Sequence, residues 1–569
     1  MLARMQQLLR RDVVREDRLG RLDQLLRASR LVIATVCVLA FVGPAGAQWT
    51  ALPSNPLGAT SNMILLPNGT ILVQGVGTPA NNRASNLWSI LTPDASGNYA
   101  TGTWTTIGAM NVQRYNYSSW VTNSGNVVIA GGQYTTVPVG NTNSDIEIFN
   151  PVSGTWTQSL ASYPGFFLSN SPSAMLPSGA ILFGDASTSN CYLYDPSTDT
   201  WNATGQKAYA PGSDISEGQT FTLMPNGKVL TWPSWQNFTQ PIPSAWSSGT
   251  LYVTGSVVVN GGNFYVATNN GTSGNGGGPT GNGNAIPDGP VLVWAYFSAW
   301  TPSTVYSTGQ YVCANGGTYK CKTGGTSAAG GFGPSTGGNN VADGSAVWSY
   351  VSFFNAPAGQ TYDPSLGSWL LTAPSSSKLT DIQYDVASQF SMGPATVLPD
   401  GTAIQIGANG NTAIYNPTQN KWSVGPTFPA GQGADFSPGA LLPNGQFLVA
   451  VDAAPGQGAP TRLYTYDYVT KSLSSVVLSG QLATDMQTSG ASIRRTLVLP
   501  NGHMLLNTGT GRIWDYTPTG NPLNAWRPTV SSVTKNTSTL YTLTGSRLTG
   551  ISVGAASATP SLVLNTISK

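Results

Sequence analysis

Bond-breaking chemistry in this 569-residue chain has little to draw on: one histidine, four cysteines and a scatter of carboxylates. His503 follows the Asn501-Gly502 turn, and any Ser-His-Asp or Cys-His arrangement would have to use it; no Gly-x-Ser-x-Gly elbow leads into a helix. Lys228 and Gln446 hold the same place after comparable turns, so His503 reads as a turn-flanking residue without a catalytic role. Zinc needs clustered Cys and His, which the sequence lacks. Cys191 precedes Tyr192-Leu193 in a strand pattern with no His nearby, which marks a buried thiol rather than a nucleophile. Paired acids remain, because two carboxylates suffice for glycoside hydrolysis. Asp145, Glu147, Asp185, Asp195, Asp214 and Glu217 are present. Asp195, Asp363 and Asp467 stand in a recurring turn phrase, where an Asp side chain bonds its own backbone. Asp214 and Glu217, within Gly212-Ser213-Asp214-Ile215-Ser216-Glu217-Gly218, have no such duty and form the acid pair of interest.

Aromatic residues carry the stronger signal. Between 243 and 352 one pattern occurs twice at a spacing of 54 or 55 residues. It runs Ala245-Trp246, Tyr252, Gly255, Val258, Tyr265, Gly278-Pro279, Asp288-Gly289, Trp294-Ala295-Tyr296, and then Ala299-Trp300, Tyr306, Gly309, Val312, Tyr319, Gly333-Pro334, Asp343-Gly344, Trp348-Ser349-Tyr350. Sugar rings present C–H faces that pack on aromatic rings, while their hydroxyls bond polar neighbours. Trp246 and Trp300 are expected in the small cores. Trp294, Tyr296, Trp348 and Tyr350, with Tyr265 and Tyr319, are the candidate ligand face; the alternative is that these rings too are core. Two copies in tandem would gain avidity on a polymer.

The surrounding chain must position this insert, and it repeats as well. Seven times a short apolar run meets a turn: Leu66-Pro67-Asn68-Gly69, Asn123-Ser124-Gly125, Leu176-Pro177-Ser178-Gly179, Met224-Pro225-Asn226-Gly227, Leu398-Pro399-Asp400-Gly401, Leu442-Pro443-Asn444-Gly445 and Leu499-Pro500-Asn501-Gly502. A second phrase follows at Phe149-Asn150-Pro151, Tyr194-Asp195-Pro196, Tyr362-Asp363-Pro364 and Tyr415-Asn416-Pro417, each closed by a Trp at 156, 201, 369 or 422. The sixth unit departs, with Tyr466-Asp467-Tyr468 and no closing Trp. Repeats near fifty residues made of strands and tight turns predict an all-β propeller, seven-bladed, with six or eight blades as the alternatives. Trp49 stands where a strand could close the ring. The fourth unit opens at Met224 but reaches its second phrase only at Tyr362, so the aromatic tandem sits inside that blade.

This set of phrases, over roughly residues 48–527, resembles the kelch repeat and the propeller of galactose oxidase-like proteins, although the double glycine of that repeat survives only as Gly131-Gly132. In that family copper is held by two His and two Tyr, one Tyr cross-linked to a Cys; a single His cannot furnish such a site, so copper radical chemistry is not expected and no cofactor is assigned. The tandem is similar to small carbohydrate-binding modules of families 5 and 12, which share the Ala-Trp opening, the Gly-x-x-Tyr hairpin and the late Trp. That resemblance implies binding of a polysaccharide, with chitin or cellulose as first candidates. Tyr541-Thr542-Leu543-Thr544-Gly545 resembles the start of the immunoglobulin-like domain that follows some such propellers. Too few residues remain for a complete sandwich, so 528–569 reads as truncated or incomplete.

Bulk properties agree with an exported β protein. Charged residues make up only 8% of the chain. Eight Arg lie within residues 1–30, leaving 17 basic and 19 acidic groups after them and no basic face for nucleic acid. Arg27 and Arg30, the apolar run Leu31 to Val42 and Ala45-Gly46-Ala47 have the form of a secretory signal with an extended basic region. The run is too short for a comfortable membrane span. Residues 1–47 are therefore read as a signal peptide and the remainder as secreted, the alternative being an uncleaved anchor. Expected units are 48–242 for blades 1 to 4 in part, 243–297 and 298–352 for the two modules, and 353–527 for the rest of the ring. After export Cys313 and Cys321, which flank Gly316-Gly317, are expected to form a disulfide. Two readings follow: a secreted, non-catalytic recognition protein, or a carbohydrate-active enzyme using carboxylates or diverged from the oxidase-like group.

Overall fold

Each Pro-Asn-Gly turn does the work its chemistry allows. In the computed structural model all seven lie in hairpins between the first two strands of a sheet, and the seven glycines have φ between +79° and +91°. Only a residue without Cβ takes that conformation at no cost, and in five of the seven the Asn or Asp side chain before it accepts the N–H two residues on, as Asn68 does from Thr70. The structure describes residues 48–524 except 78–82, 134–143, 208–215, 234–243, 262, 315–316, 330–332, 335–337, 354–357, 375–378, 380–391 and 455–457. Beyond these it describes the strands 529–535, 541–546 and 561–564. The secretory segment lies outside this set, as does Asp214. No described helix is long and apolar enough to cross a membrane.

Seven antiparallel sheets make a seven-bladed propeller. Blade 1 comprises Thr60–Leu65, Ile71–Gly75, Trp88–Thr92 and Thr103–Thr106; blade 2 comprises Ser118–Val121, Val127–Ala130, Ile146–Asn150 and Thr155–Gln158. Blade 3 runs from Ser173–Met175 to Thr200–Ala203, blade 5 from Ala395–Val397 to Lys421–Val424, and blade 6 from Gly439–Leu441 to Ser472–Ser475. Second strands such as Val127–Ala130 and Met504–Asn507 are buried throughout, as continuous apolar runs between stacked sheets require.

Blade 7 takes its first three strands, Arg495–Val498, Met504–Asn507 and Ile513–Thr517, from the end of the ring and its fourth, Gln48–Ala51, from the start. Trp49 pairs with Tyr516 across that seam, ring centroids 4.5 Å apart. The expectation that the segment at Trp49 closes the ring is met. That pairing covers an edge that would otherwise present unpaired N–H and C=O groups.

The closing Trp residues share one register position, opposite an apolar residue of the third strand: Trp156 faces Phe149, Trp201 faces Tyr194, Trp369 faces Tyr362 and Trp422 faces Tyr415. Trp104, opposite Leu91, and Trp49, opposite Tyr516, belong to the same series and lacked the preceding turn phrase that would have marked them. Two indoles of the series show how they reach backward to the preceding blade. Trp156 lies 5.3 Å from Trp88 of blade 1 and donates to Gly108 O, and Trp422 lies 4.8 Å from Trp232 of blade 4 and donates to the Thr372 hydroxyl.

Blade 4 is interrupted between its second strand, Val229–Thr231, and its third, Ala358–Asp363. Thr231 and Gln360 are direct partners on the ladder, so the chain leaves and re-enters at adjacent points. The insert is a duplicated unit, but its halves are not separate beads. The strand Leu292–Ala299 runs across the boundary expected at 297/298 and pairs in parallel with Tyr311–Ala314, joining both halves into one sheet. Phe264, Val266, Ala295 and Phe297 from the first half share a core with Tyr311 and Cys313 from the second.

That arrangement corrects the expected disulfide. Cys313 and Cys321 are free thiols. Cys313 pairs with Thr318, whereas the Cys321 N–H bonds Gln310 O, which places the two cysteines three positions apart along the ladder. An odd offset points side chains to opposite faces. Cys313 accordingly faces the shared core and Cys321 the core of the second half. Burial pushes the Cys313 thiol up to about 12 and raises Cys321 as well. Native protein should therefore resist alkylation at neutral pH, and unfolding without reductant should release both thiols to the reagent. Labelling that appears only after reduction would restore the bridge.

The strands Thr529–Lys535, Tyr541–Ser546 and Ser561–Leu564 form a separate three-stranded antiparallel sheet.

Candidate functional site

A small core that holds two indoles must find acceptors for two N–H groups. Each half of the insert solves this with one carboxylate. Asp288 Oδ2 accepts from Trp246 Nε1 at 2.7 Å and Trp294 Nε1 at 2.8 Å, and its Oδ1 accepts from Gly274 N at 2.8 Å. Asp343 Oδ2 accepts from Trp300 Nε1 at 2.6 Å and Trp348 Nε1 at 3.0 Å, and its Oδ1 from Ala328 N at 2.9 Å. Tyr252 and Tyr306 pack edge-on against Trp294 and Trp348, each with centroids 5.0 Å apart. The shared Asp-Gly landmark was visible in both copies; its role as a double indole acceptor was the part missed.

Trp294 and Trp348 are 0% exposed, so the expectation that they form the ligand platform is overturned: their N–H groups and ring faces are spent on the core. Tyr265 and Tyr319 are buried too, at 0% and 2%. Tyr265 is fixed further by donating from its hydroxyl to Gly281 O at 3.0 Å. Trp300 is buried as expected, while Trp246 keeps part of its surface in solvent.

Tyr296 and Tyr350 remain half-buried at the margin of these cores. Tyr296 stands edge-on to Tyr265 with centroids 6.1 Å apart, and Tyr350 edge-on to Tyr319 at 5.6 Å. Partial burial raises the Tyr296 hydroxyl above its ordinary range, so it stays a neutral donor at physiological pH. The Tyr296 N–H donates to Gly283 O and the Tyr350 N–H to Gly338 O, both at 2.9 Å. Each glycine is followed by an exposed asparagine, Asn284 or Asn339. The loop carrying Asn284 is held by Asn260 Nδ2, which donates to Gly277 O and Pro279 O. That carrying Asn339 is held by Ser349 Oγ and by Lys322, whose Nζ bonds Asn340 Oδ1 at 2.6 Å. Both halves thus present a half-exposed phenol beside an exposed amide on a pinned loop.

The carboxylates considered for hydrolysis have other partners. Glu147 and Arg114 form a fully buried ion pair at 2.6 Å, and Glu147 also accepts from Asn111 N and Val112 N. Asp185 accepts from Tyr163 Oη, Phe166 N, Phe167 N and Ser187 N. Asp195 caps its own turn through Ser197. Glu217 accepts from Asn170 Nδ2 at 3.2 Å, and the second member of that pair, Asp214, lies outside the described residues. His503 shares a 2.8 Å hydrogen bond with Asp515 and stays in the turn-flanking place assigned to it. Cys191 is buried, as expected. Among the described residues no three His, Cys, Asp or Glu side chains gather as a metal site would need.

No family model matches the chain, and no curated protein matches it in sequence. Solved structures match in overall architecture. Virginiamycin B lyase from Staphylococcus aureus is 8% identical, with a TM-score of 0.41 over 83% of this chain and 99% of the other. A streptogramin B lyase is 8% identical, with a TM-score of 0.38 over 83% and 98%. The protein YjhT is 12% identical, with a TM-score of 0.35 over 75% and 99%.

Proposed function

We propose that this chain is a secreted, non-catalytic recognition protein: a kelch-like propeller scaffold carrying a double module, similar to carbohydrate-binding families 5 and 12, that binds a neutral polysaccharide. One observation carries the reading. The insert has two carboxylates between 243 and 352, and both are saturated inside the cores by indole and backbone N–H groups. With its thiols buried as well, the polar feature the two halves share at their rims is a half-buried phenol and an exposed asparagine. Such a pair suits the C–H face and hydroxyls of a sugar and lacks the paired free carboxylates of a glycosidase. The parallel strand pairing fixes the spacing of the two halves, so the second contact on a polymer is made at high effective concentration.

The test is retention of the full chain on insoluble chitin and cellulose, with Tyr296→Ala and Tyr350→Ala singly and together. Each single change should weaken binding about threefold to tenfold, and the pair should weaken it more than the product of the two. A double variant that melts like the parent and is retained like it would remove these tyrosines from the site.

A further inference from the structure

The propeller has one irregular layer. Six outer strands place an indole opposite the third strand of their blade, at Trp49, Trp104, Trp156, Trp201, Trp369 and Trp422; in blade 6 the equivalent position, opposite Tyr466, is Leu473. The same blade breaks the turn phrase, with Tyr468 where the other units that carry the phrase have proline. By the geometry of Trp156 and Trp422, the closing residue of blade 6 faces blade 5, and Leu473 does pack on the core between them. A leucine leaves part of an indole's volume unfilled. A cleft of 350 Å³ lies between blades 5 and 6, bordered by Trp422, Tyr466, Tyr468, Asp400, Lys421 and Lys471. Of the two departures of the sixth unit, Tyr468 lines this cleft, while Leu473 packs on the core between the same blades.

The walls define the ligand. Its volume is that of a small ligand pocket, within the usual range of about 300–1,000 Å³. Among the described residues neither Lys421 nor Lys471 has an ion-pair partner, whereas Lys228 in blade 4 pairs with Asp363 at 2.9 Å. Asp400 Oδ1 is occupied by Thr402 N and Oγ1, leaving its second oxygen to accept a hydroxyl. Two ammonium groups against one carboxylate favour an anion, and the phenol of Tyr468 offers a face to a ring. We propose that this inter-blade cleft is a second binding site, independent of the insert, for a saccharide bearing a carboxylate or a sulfate ester.

Titration calorimetry of the full chain with a galacturonate trisaccharide, its neutral galactose counterpart and a sulfated galactose trisaccharide tests the assignment. The two anionic sugars should bind and the neutral one should bind at least about tenfold more weakly, the difference shrinking with added salt. Preference for one anion over the other identifies which source the site takes. Tyr468→Ala, which removes a ring from the cleft wall, should weaken binding of the anionic sugars about threefold to tenfold without lowering the melting temperature. Lys421→Gln with Lys471→Gln, one half-buried and one exposed at the cleft, should weaken the anionic sugars about fivefold to tenfold and leave the neutral one unchanged. Tyr296→Ala with Tyr350→Ala should leave this binding intact, which separates its failure from failure of the insert. Equal affinity for neutral and anionic sugars, or anionic binding that survives both the Tyr468→Ala and the Gln variants, would overturn the proposal.

Discussion

Asp343→Ala is expected to destabilise the second half of the insert by about 3–5 kcal/mol, because it strands two indole N–H donors and one backbone N–H inside a core of barely more than fifty residues. Asp288→Ala should do the same to the first half. The shared sheet and the Phe297–Cys313 core should carry the damage from either half to the other, so that the insert melts as one unit in both variants. Asp343→Asn keeps an oxygen in place and should cost less, since a neutral acceptor still serves one indole. Calorimetry separates these outcomes. An Ala variant whose insert melts within about 0.5 kcal/mol of the parent would show that the carboxylates are not what holds the tryptophans.

Trp49→Ala is expected to be the most damaging single change in the propeller, at about 3–5 kcal/mol. Its ring packs, partly buried, on the core between blades 6 and 7, and its strand pairs by hydrogen bonds with the last strand of the ring. Removing Gln48–Ala51 altogether should go further, baring the outer edge of Ile513–Thr517 and turning one melting transition into a broad one with self-association. Should a truncated chain without these four residues melt as cooperatively as the parent, the seam would not be what closes the ring.

The fold was legible because its signals are local. A positive-φ glycine at the end of each of seven tight turns, six of them opened by a Leu-Pro or Met-Pro step, leaves the backbone one choice and fixes a ring. The closing tryptophans were legible wherever the turn phrase preceded them. Trp104 was hidden because blade 1 spells that turn differently, with Asp94 capping Ser96 and Asn98. The site was harder to read. Exposure is a property of the packed whole, and in so small a unit one alternation along Leu292–Ala299 sends Trp294 and Tyr296 to the same face with opposite fates, one sealed beneath Tyr252 and Asp288, the other at the rim. Spacing alone gives the face and not the depth. The cysteines fail for a related reason: eight residues around a Gly-Gly turn look bridgeable, but the ladder register sets an odd offset and so turns the thiols apart.

The central claim is that the insert binds polysaccharide and the ring carries it. Its most direct test compares the full chain with one in which residues 243–352 are replaced by a short linker, both assayed for retention on insoluble chitin and cellulose and for cooperative melting. Because Thr231 and Gln360 face each other across the ladder, the shortened chain should keep a cooperatively folded propeller while losing retention on neutral glycan. If the shortened chain folds and is retained as firmly as the parent, or if the parent is retained on no polysaccharide at all, the insert is not the recognition element and the account fails.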